Sequence, residues 1–132
     1  MPATVLLVDD HELIRQGLRR AFERDADFTV VGEAGTLGDA TRLAMTQRPD
    51  VVVIDVRLPD GNGLELAQKL RQARSDVGLV ILTMYAGDDQ LFSALDAGAS
   101  AFVPKSAPSD DVVAAARHAS AKPTSFVASD LA

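Results

Sequence analysis

The chain has 132 residues, of which 47% are hydrophobic and 24% charged, a balance that suits one globular domain with a buried core and argues against wholesale disorder. It has no cysteine, which excludes disulfides and thiolate metal sites. A net charge of −6 disfavours binding to nucleic acid, which needs clustered Lys and Arg, and is better suited to cations.

Met1 to Asp10 lacks the basic start of a secretory signal and turns acidic after a few apolar residues. No later apolar run is long enough to span a bilayer, so a cytoplasmic location without a membrane partner is expected. "TVLLV", Thr4 to Val8, predicts a short buried strand. Leu13, Ile14, Gly17, Leu18, Ala21 and Phe22 then recur at helical spacing and predict a helix that buries that face. "FTVVGEA" predicts a second, less continuously apolar strand, and Thr36 with Asp39 makes a capping-box pattern ahead of Ala40, Leu43 and Ala44. Pro49 closes that helix.

"VVVID", Val51 to Asp55, predicts a third strand in which four β-branched residues are followed by a carboxylate. The turn signal Pro59, Asp60, Gly61 comes next, then a helix from about Gly63 with Leu64, Ala67 and Leu70. "GLVILT", Gly78 to Thr83, predicts the fourth strand, followed by a loop and a helix with Leu91, Leu95 and a Gly98 stop. "AFVP", Ala101 to Pro104, predicts the fifth, and Pro108 with Asp110 and Asp111 opens a final helix. The remainder, around Pro123, reads as a linker. A domain is therefore expected over 1–121, with 122–132 leading toward an output domain that lies outside this sequence.

Strands alternating with helices, the strands nearly continuous in apolar residues, predict a doubly wound α/β fold: a five-stranded parallel sheet with helices on both faces. Right-handed crossovers leave few topologies, and the leading one is the flavodoxin-like (CheY-like) order 2-1-3-4-5. It places the second and fifth strands at the edges, where the missing amide of Pro104 is tolerable.

Ligands of such sheets bind beyond the carboxyl ends of the strands, where strand order reverses. The residues at those ends are Asp9 and Asp10, Asp55, Thr83 and Lys105. Each has a plainer reading alone: Asp9 or Asp10 as a helix cap, Asp55 as a turn former, Thr83 as a strand residue, Lys105 as a surface lysine. Together they converge on one rim. Carboxylates held 4 Å apart repel by about 1 kcal/mol per pair in water and about 4 kcal/mol at an effective dielectric of about 20, so something positive should sit among them. His11 and His118 have no partner spacing for a metal site and read as surface residues. Hard oxygen ligands alone favour Mg2+, the ion that manages phosphates. A divalent ion, an ammonium and a hydroxyl around one more carboxylate are the parts that stabilise a phosphoryl group in transfer, with Asp55 as the nucleophile.

The stretches "VLLVDDHELIRQGL", "DVVVIDVRLPDGNGLEL", "VILTMYAGDD" and "GASAFVPKSAPSDDVVAAAR" resemble the receiver domain of two-component response regulators, in particular the NarL/FixJ subfamily with a C-terminal LuxR-type helix-turn-helix DNA-binding domain. The resemblance runs from about Val5 to Ala119. It implies that Asp55 accepts phosphate from a phosphohistidine on a sensor histidine kinase. Asp10 would bind Mg2+ directly and Asp9 directly or through water, with Asp55 and the backbone carbonyl of Arg57 completing the protein ligands. Thr83 and Lys105 would contact phosphoryl oxygens. Phe102 matches an aromatic that swings inward on activation, with a plain core aromatic as the equal alternative.

The family often has Pro directly after the lysine, where this chain has Ser106. Arg57 and Tyr85, each two places beyond a site residue, fall where members vary and tune hydrolysis of the phosphate. The resemblance further implies a regulatory phosphoacceptor rather than an enzyme with turnover, a homodimer on phosphorylation, and DNA contact only through the absent domain. A stand-alone adaptor acting by protein contact is the main alternative. A phosphohydrolase of the haloacid dehalogenase type is a weaker one, since such enzymes want an acid where Arg57 stands.

Overall fold

The computed structural model describes residues 1–84 and 87–128, so Tyr85 and the last four residues of the expected linker lie outside the described residues. In chain order the elements are β1 (Ala3–Val8), α1 (Glu12–Glu23), β2 (Phe28–Ala34), α2 (Leu37–Gln47), β3 (Val51–Asp55), β4 (Arg57–Leu58), β5 (Gly61–Asn62), α3 (Gly63–Ala73), β6 (Gly78–Thr83), α4 (Asp88–Asp96), β7 (Ala101–Pro104), α5 (Ser109–Ala121) and β8 (Val127–Ala128). The main sheet is parallel and runs β2-β1-β3-β6-β7-β8. The five expected strands take the expected order. The short antiparallel pair β4 and β5 brackets the Pro59-Asp60-Gly61 turn.

Period-2 alternation divides the core into two layers. Leu6, Val8, Val52, Ile54, Leu79 and Ile81 face α2, α3 and α4, while Val5, Leu7, Val51, Val53, Val80 and Leu82 face α1 and α5. Both faces of the sheet are covered, which is why the central strands contain almost no polar residue until their ends. Gly98, at φ 86°, ends the α4 region in the left-handed conformation that glycine adopts without strain.

Three expectations are corrected. The sheet has a sixth strand: β8 pairs Val127 with Ala101 and Ala128 with Phe102, so β7 is not the edge strand along its first half. Pro104 lies past the reach of β8, where its missing amide still costs no ladder bond. Residues 122–128 of the expected linker lie against the body. The Pro123 carbonyl accepts from the buried Ser100 hydroxyl and, at 2.9 Å, from Arg71 Nη2. Thirdly, Leu13 is 82% exposed, because the first turn of α1 overhangs the carboxyl end of the sheet; the buried stripe is Leu18, Ala21 and Phe22.

The N-terminus of α2 is capped twice. Thr36 Oγ1 accepts from Asp39 N at 3.2 Å, as its spacing predicts. Asp60, from the β4–β5 turn, adds a carboxylate that accepts from Leu37 N at 2.6 Å and Gly38 N at 3.0 Å. Those backbone donors hold the Asp60 carboxyl below its usual range. A depressed acid contributes stability that is present above its unfolded pKa and is lost as pH falls through its folded one. Asp60→Ala is therefore expected to lower the urea midpoint near neutral pH, with the difference from wild type closing as pH falls through and below the ordinary carboxylate range. Urea titrations at several pH values measure this, and a gap that stays constant down to the lowest pH contradicts it.

Candidate functional site

The pleat brings the site together. Asp9 continues the alternation of Val5 and Leu7, Asp55 that of Val51 and Val53, and Lys105 that of Ala101 and Val103, so all three leave their strands on the side of α1 and α5. Thr83 leaves β6 on the opposite parity but at the same rim, and its carbonyl accepts from Lys105 N at 2.7 Å. Asp10, His11, Asp55, Val56, Arg57, Thr83, Met84 and Lys105 line a cavity of about 100 Å³. That is room for about three waters at their liquid volume, or for one phosphoryl group, but not for a nucleotide.

Lys105 is the hub. Its Nζ lies 2.8 Å from Asp55 Oδ2 and 3.1 Å from Asp9 Oδ1, and the side chains of Lys105, Asp55 and Asp9 are only 2%, 3% and 1% exposed. The plainer reading of Lys105 as a solvated surface lysine is therefore overturned. Burial pushes the Asp55 carboxyl above its usual range; the Lys105 hydrogen bond opposes this, and the neighbouring Asp9 charge reinforces it. Burial works to lower the Lys105 ammonium, but its bonds to Asp55 and Asp9 outweigh burial and raise it. The two buried carboxylates of Asp9 and Asp55 share this one ammonium, with the exposed Asp10 beside them, so carboxylates outnumber the buried cation.

The supporting backbone fixes these positions. Arg57 donates its N–H to Asp55 Oδ1 at 3.2 Å, and Gly63 N donates to Val56 O at 2.8 Å. Gly63 is required here, since a Cβ would stand 2.0 Å from the Asp55 carbonyl oxygen and 2.6 Å from Ile54 Cγ2. Under the acidic pair, Arg15 donates from Nη1 to the Asp9 carbonyl at 2.6 Å and from Nε to Glu33 at 3.2 Å, while Arg19 holds the other oxygen of Glu33. Asp9 N is bonded to Ala34 O at 3.0 Å. The β1–α1 turn is thus clamped from two sides.

Asp9 and Asp10 do not serve as N-caps. That position belongs to His11, whose side chain makes no capping bond. Its N–H instead donates to Asp9 Oδ1 at 2.8 Å, and its Nδ1 lies 3.1 Å from Asp9, 3.3 Å from Asp10 and 3.0 Å from Lys105. The sequence reading placed His11 at the surface. Its ring is indeed 55% exposed, but it stands at the mouth of the pocket. Only its adjacency to the acidic pair signalled this in the sequence. His118, as expected, is elsewhere, with Nε2 2.6 Å from Ser125 O. Phe102 is not at the pocket either: it is 4% exposed, in the core layer of α2, α3 and α4.

The residues suit a hard divalent cation. Ligand atoms of Asp9, Asp10, His11 and Asp55 all lie within 4.8 Å of one another. Both Asp9 oxygens lie 3.1 Å from the Lys105 ammonium, and Oδ2 has no hydrogen bond besides that ion pair. A second cation would share these buried oxygens with the ammonium and relieve the remaining repulsion between the carboxylates.

Comparison with known proteins agrees with this geometry. A family described as the response regulator receiver domain matches residues 5–117. The DNA-binding transcriptional activator DevR/DosR of Mycobacterium tuberculosis is 48% identical over 101 residues, which cover 76% of this chain and 46% of that protein. The response regulator UvrY of Escherichia coli K12 is 38% identical over 128 residues, 97% of this chain and 58% of that protein. The chain thus spans about half the length of the curated relatives it matches. The crystal structure of a LuxR-family two-component response regulator from Aurantimonas sp. SI85-9A1 superposes with a TM-score of 0.88 at 36% identity, covering 98% of this chain and 92% of that one. With sheet order, strand-end residues and sequence matches in agreement, the chain belongs to the response regulator receiver domain family, and its relatives are regulators of the NarL and LuxR type.

Proposed function

We propose that this domain is a phosphorylation switch: Asp55 accepts a phosphoryl group from a phosphohistidine on a sensor histidine kinase. The observation that carries the reading is the buried Lys105 ammonium bridging Asp55 and Asp9 at the rim of a cavity of phosphoryl size. In transfer, an Asp55 oxygen attacks phosphorus as the bond to the donor imidazole breaks, giving an acyl phosphate. Asp9, Asp10, Asp55 and the backbone carbonyl of Arg57 are the groups to hold Mg2+, which when bound supplies positive charge to offset the carboxylates and the incoming phosphoryl oxygens. Lys105 is already within bonding distance of Asp55 and pairs with one phosphoryl oxygen. Thr83, on the neighbouring strand end, donates its hydroxyl to another.

Phosphorylation adds about two negative charges at Asp55. A full switch from 1:99 to 99:1 needs about 5.5 kcal/mol of preference for the active state, which a few desolvated charge-assisted contacts supply. The output is transcription regulation through a C-terminal DNA-binding domain, with residues 122–132 as the connection and a homodimer as the active form, in the cytoplasm. The names of the relatives and the partial coverage of their lengths support this output. Phe102 is the switch aromatic, and its pairing with Ala128 ties its movement to the outgoing chain. The domain acts on its own phosphoryl group and not on a free substrate.

Incubation with acetyl phosphate and Mg2+ is expected to add the mass of one phosphoryl group to the wild-type chain, and nothing to Asp55→Asn or to wild type in excess EDTA. Intact-mass spectrometry reads all three, and labelling of Asp55→Asn sinks the assignment. Arg15 acts through Asp9 and is a positioning residue. Arg15→Met is expected to weaken Mg2+ binding about tenfold by titration calorimetry, in the range of outer-layer metal-site mutations. Labelling at saturating Mg2+ should stay near wild type, whereas a fall in maximal labelling with unchanged Mg2+ affinity contradicts a positioning role.

A further inference from the structure

The segment after α5 is fastened to the sheet at several points. Lys122 N donates to His118 O at 2.7 Å and Ser125 N to Lys122 O at 3.1 Å, so the chain turns as it leaves the helix. It then runs along the outer side of β7, where Val127 N donates to Ser100 O at 3.0 Å and Phe126 packs against the core layer of α2, α3 and α4. His118 Nε2, 2.6 Å from the Ser125 carbonyl, is a further hold, since a carbonyl oxygen only accepts.

The strongest fastening is Arg71, in the last turn of α3. A guanidinium has five N–H donors, and all are used: Nε on Gly98 O at 2.9 Å, Nη1 on Arg74 O at 3.2 Å and Ser75 O at 2.9 Å, Nη2 on Pro123 O at 2.9 Å and Ser100 Oγ at 3.3 Å. Among the described residues no carboxylate forms an ion pair with it. A half-buried cation without such a partner carries a desolvation cost that an apolar side chain would not, and what the charge supplies is a strong hold on the Pro123 carbonyl. Ser100 completes the fastening. Its buried hydroxyl donates to Pro123 O and accepts from Leu79 N of β6 at 3.1 Å, so β6, β7 and the segment after α5 meet at one oxygen.

At the other end of the same two strands, Lys105 N donates to Thr83 O at 2.7 Å beside the Asp55 carboxylate. The β6–β7 pair is thus pinned at the pocket by the residues proposed to meet phosphoryl oxygens, and at its far end by the residue that holds Pro123. Only Ala101 to Pro104 lie between, and a close-packed strand that short has little slack to absorb a displacement. We propose that residues 122–128 are a strap latched across the β7 edge by Arg71 and Ser100, and that a phosphoryl group on Asp55 opens it. This rests on reading Asp55 as the phosphoacceptor. The coupling is reciprocal, so an opened strap raises the affinity of the pocket for a phosphoryl mimic.

The test uses the full chain, with beryllofluoride and Mg2+ as the mimic, and reads amide hydrogen exchange by NMR. Saturating mimic is expected to speed exchange of the Val127 amide at least about fivefold, the lower end of typical coupling between sites, while the central-strand amides of Leu7 and Val53 keep their protection. Arg71→Gln is expected to speed Val127 exchange about tenfold without mimic, the size of a lost bond from a charged donor, and to bind beryllofluoride more tightly than wild type in fluorine NMR titrations. Val127→Pro, which removes the donor to Ser100 at a position that is 41% exposed, is expected to bind the mimic more tightly too, and it decides alone should Arg71→Gln lose protection at Leu7 and Val53. Beryllofluoride that binds wild type without changing Val127 exchange, or that binds the folded variants no more tightly, overturns the strap while leaving the pocket a phosphoryl site. No binding of the mimic to wild type overturns the reading of Asp55 and the coupling with it.

Discussion

The structure is organised around an electrostatic deficit: buried carboxylates packed together with one ammonium among them. The attraction between Lys105 and its acids does not by itself make this arrangement favourable, because desolvating several charges costs several kcal/mol per ion and paired attraction returns only part of it. The direction of the Asp55 shift shows which effect wins. Burial dominates over the Lys105 bond, so the carboxyl is held above its usual range although a cation touches it. A fold kept only for stability would be served better by apolar residues at these positions. On the proposed reading, the deficit is a standing affinity for added positive charge, and through that charge for phosphate.

The rest of the molecule makes the deficit tolerable. The sheet delivers Asp9, Asp55 and Lys105 to one rim by strand parity, and both of its faces are covered by apolar helices, so the strand ends cannot drift without moving the core. Behind the rim, Arg15, Glu33 and Arg19 hold the β1–α1 turn by charge-assisted bonds, and Gly63 lets α3 begin directly against the Asp55 backbone. Arg71 does similar work at the other end of the sheet. Its guanidinium donates to the carbonyls of Gly98, Ser75 and Pro123 at 2.9 Å each, and burial depresses its pKa. An arginine bonded to neutral carbonyls ties elements together without adding to the imbalance at the pocket.

Much of this was legible in the sequence because it depends on period and adjacency. The boundaries of "FTVVGEA", "VVVID", "GLVILT" and "AFVP" are the observed ones, and for the last three, buried throughout, this is because the apolar run ends where the strand ends. Strand order then placed Asp9, Asp55, Thr83 and Lys105 at one rim. What stayed hidden depends on side-chain direction and on chain that doubles back. His11 has no metal-ligand spacing in sequence; its turn into the pocket follows from the β1–α1 backbone held by Asp9. Arg15 reads as one charge on an amphipathic helix until its contact with the Asp9 carbonyl is seen. The segment at Val127 is too short to carry a strand pattern, and it pairs with β7 next to a Pro123 carbonyl held by Ser100 and Arg71.

That returning segment bears on how a charge at Asp55 can be felt at a distance. Lys105 follows Pro104 at the end of β7, and its N–H is bonded to the carbonyl of Thr83, so the two side chains proposed to contact phosphate are joined through one backbone bond. Three residues back along β7, Phe102 pairs with Ile81 on one side and Ala128 on the other. Buried at 4% exposure, Phe102 cannot leave its place without disturbing both neighbours, one of which is the last strand among the described residues. Packed interiors rearrange between discrete arrangements rather than deform smoothly. The β8 contact is the smallest unit of that edge, with two residues on a strand whose outer side is open. It is therefore the part of the sheet that a shift in β7 would release at least cost.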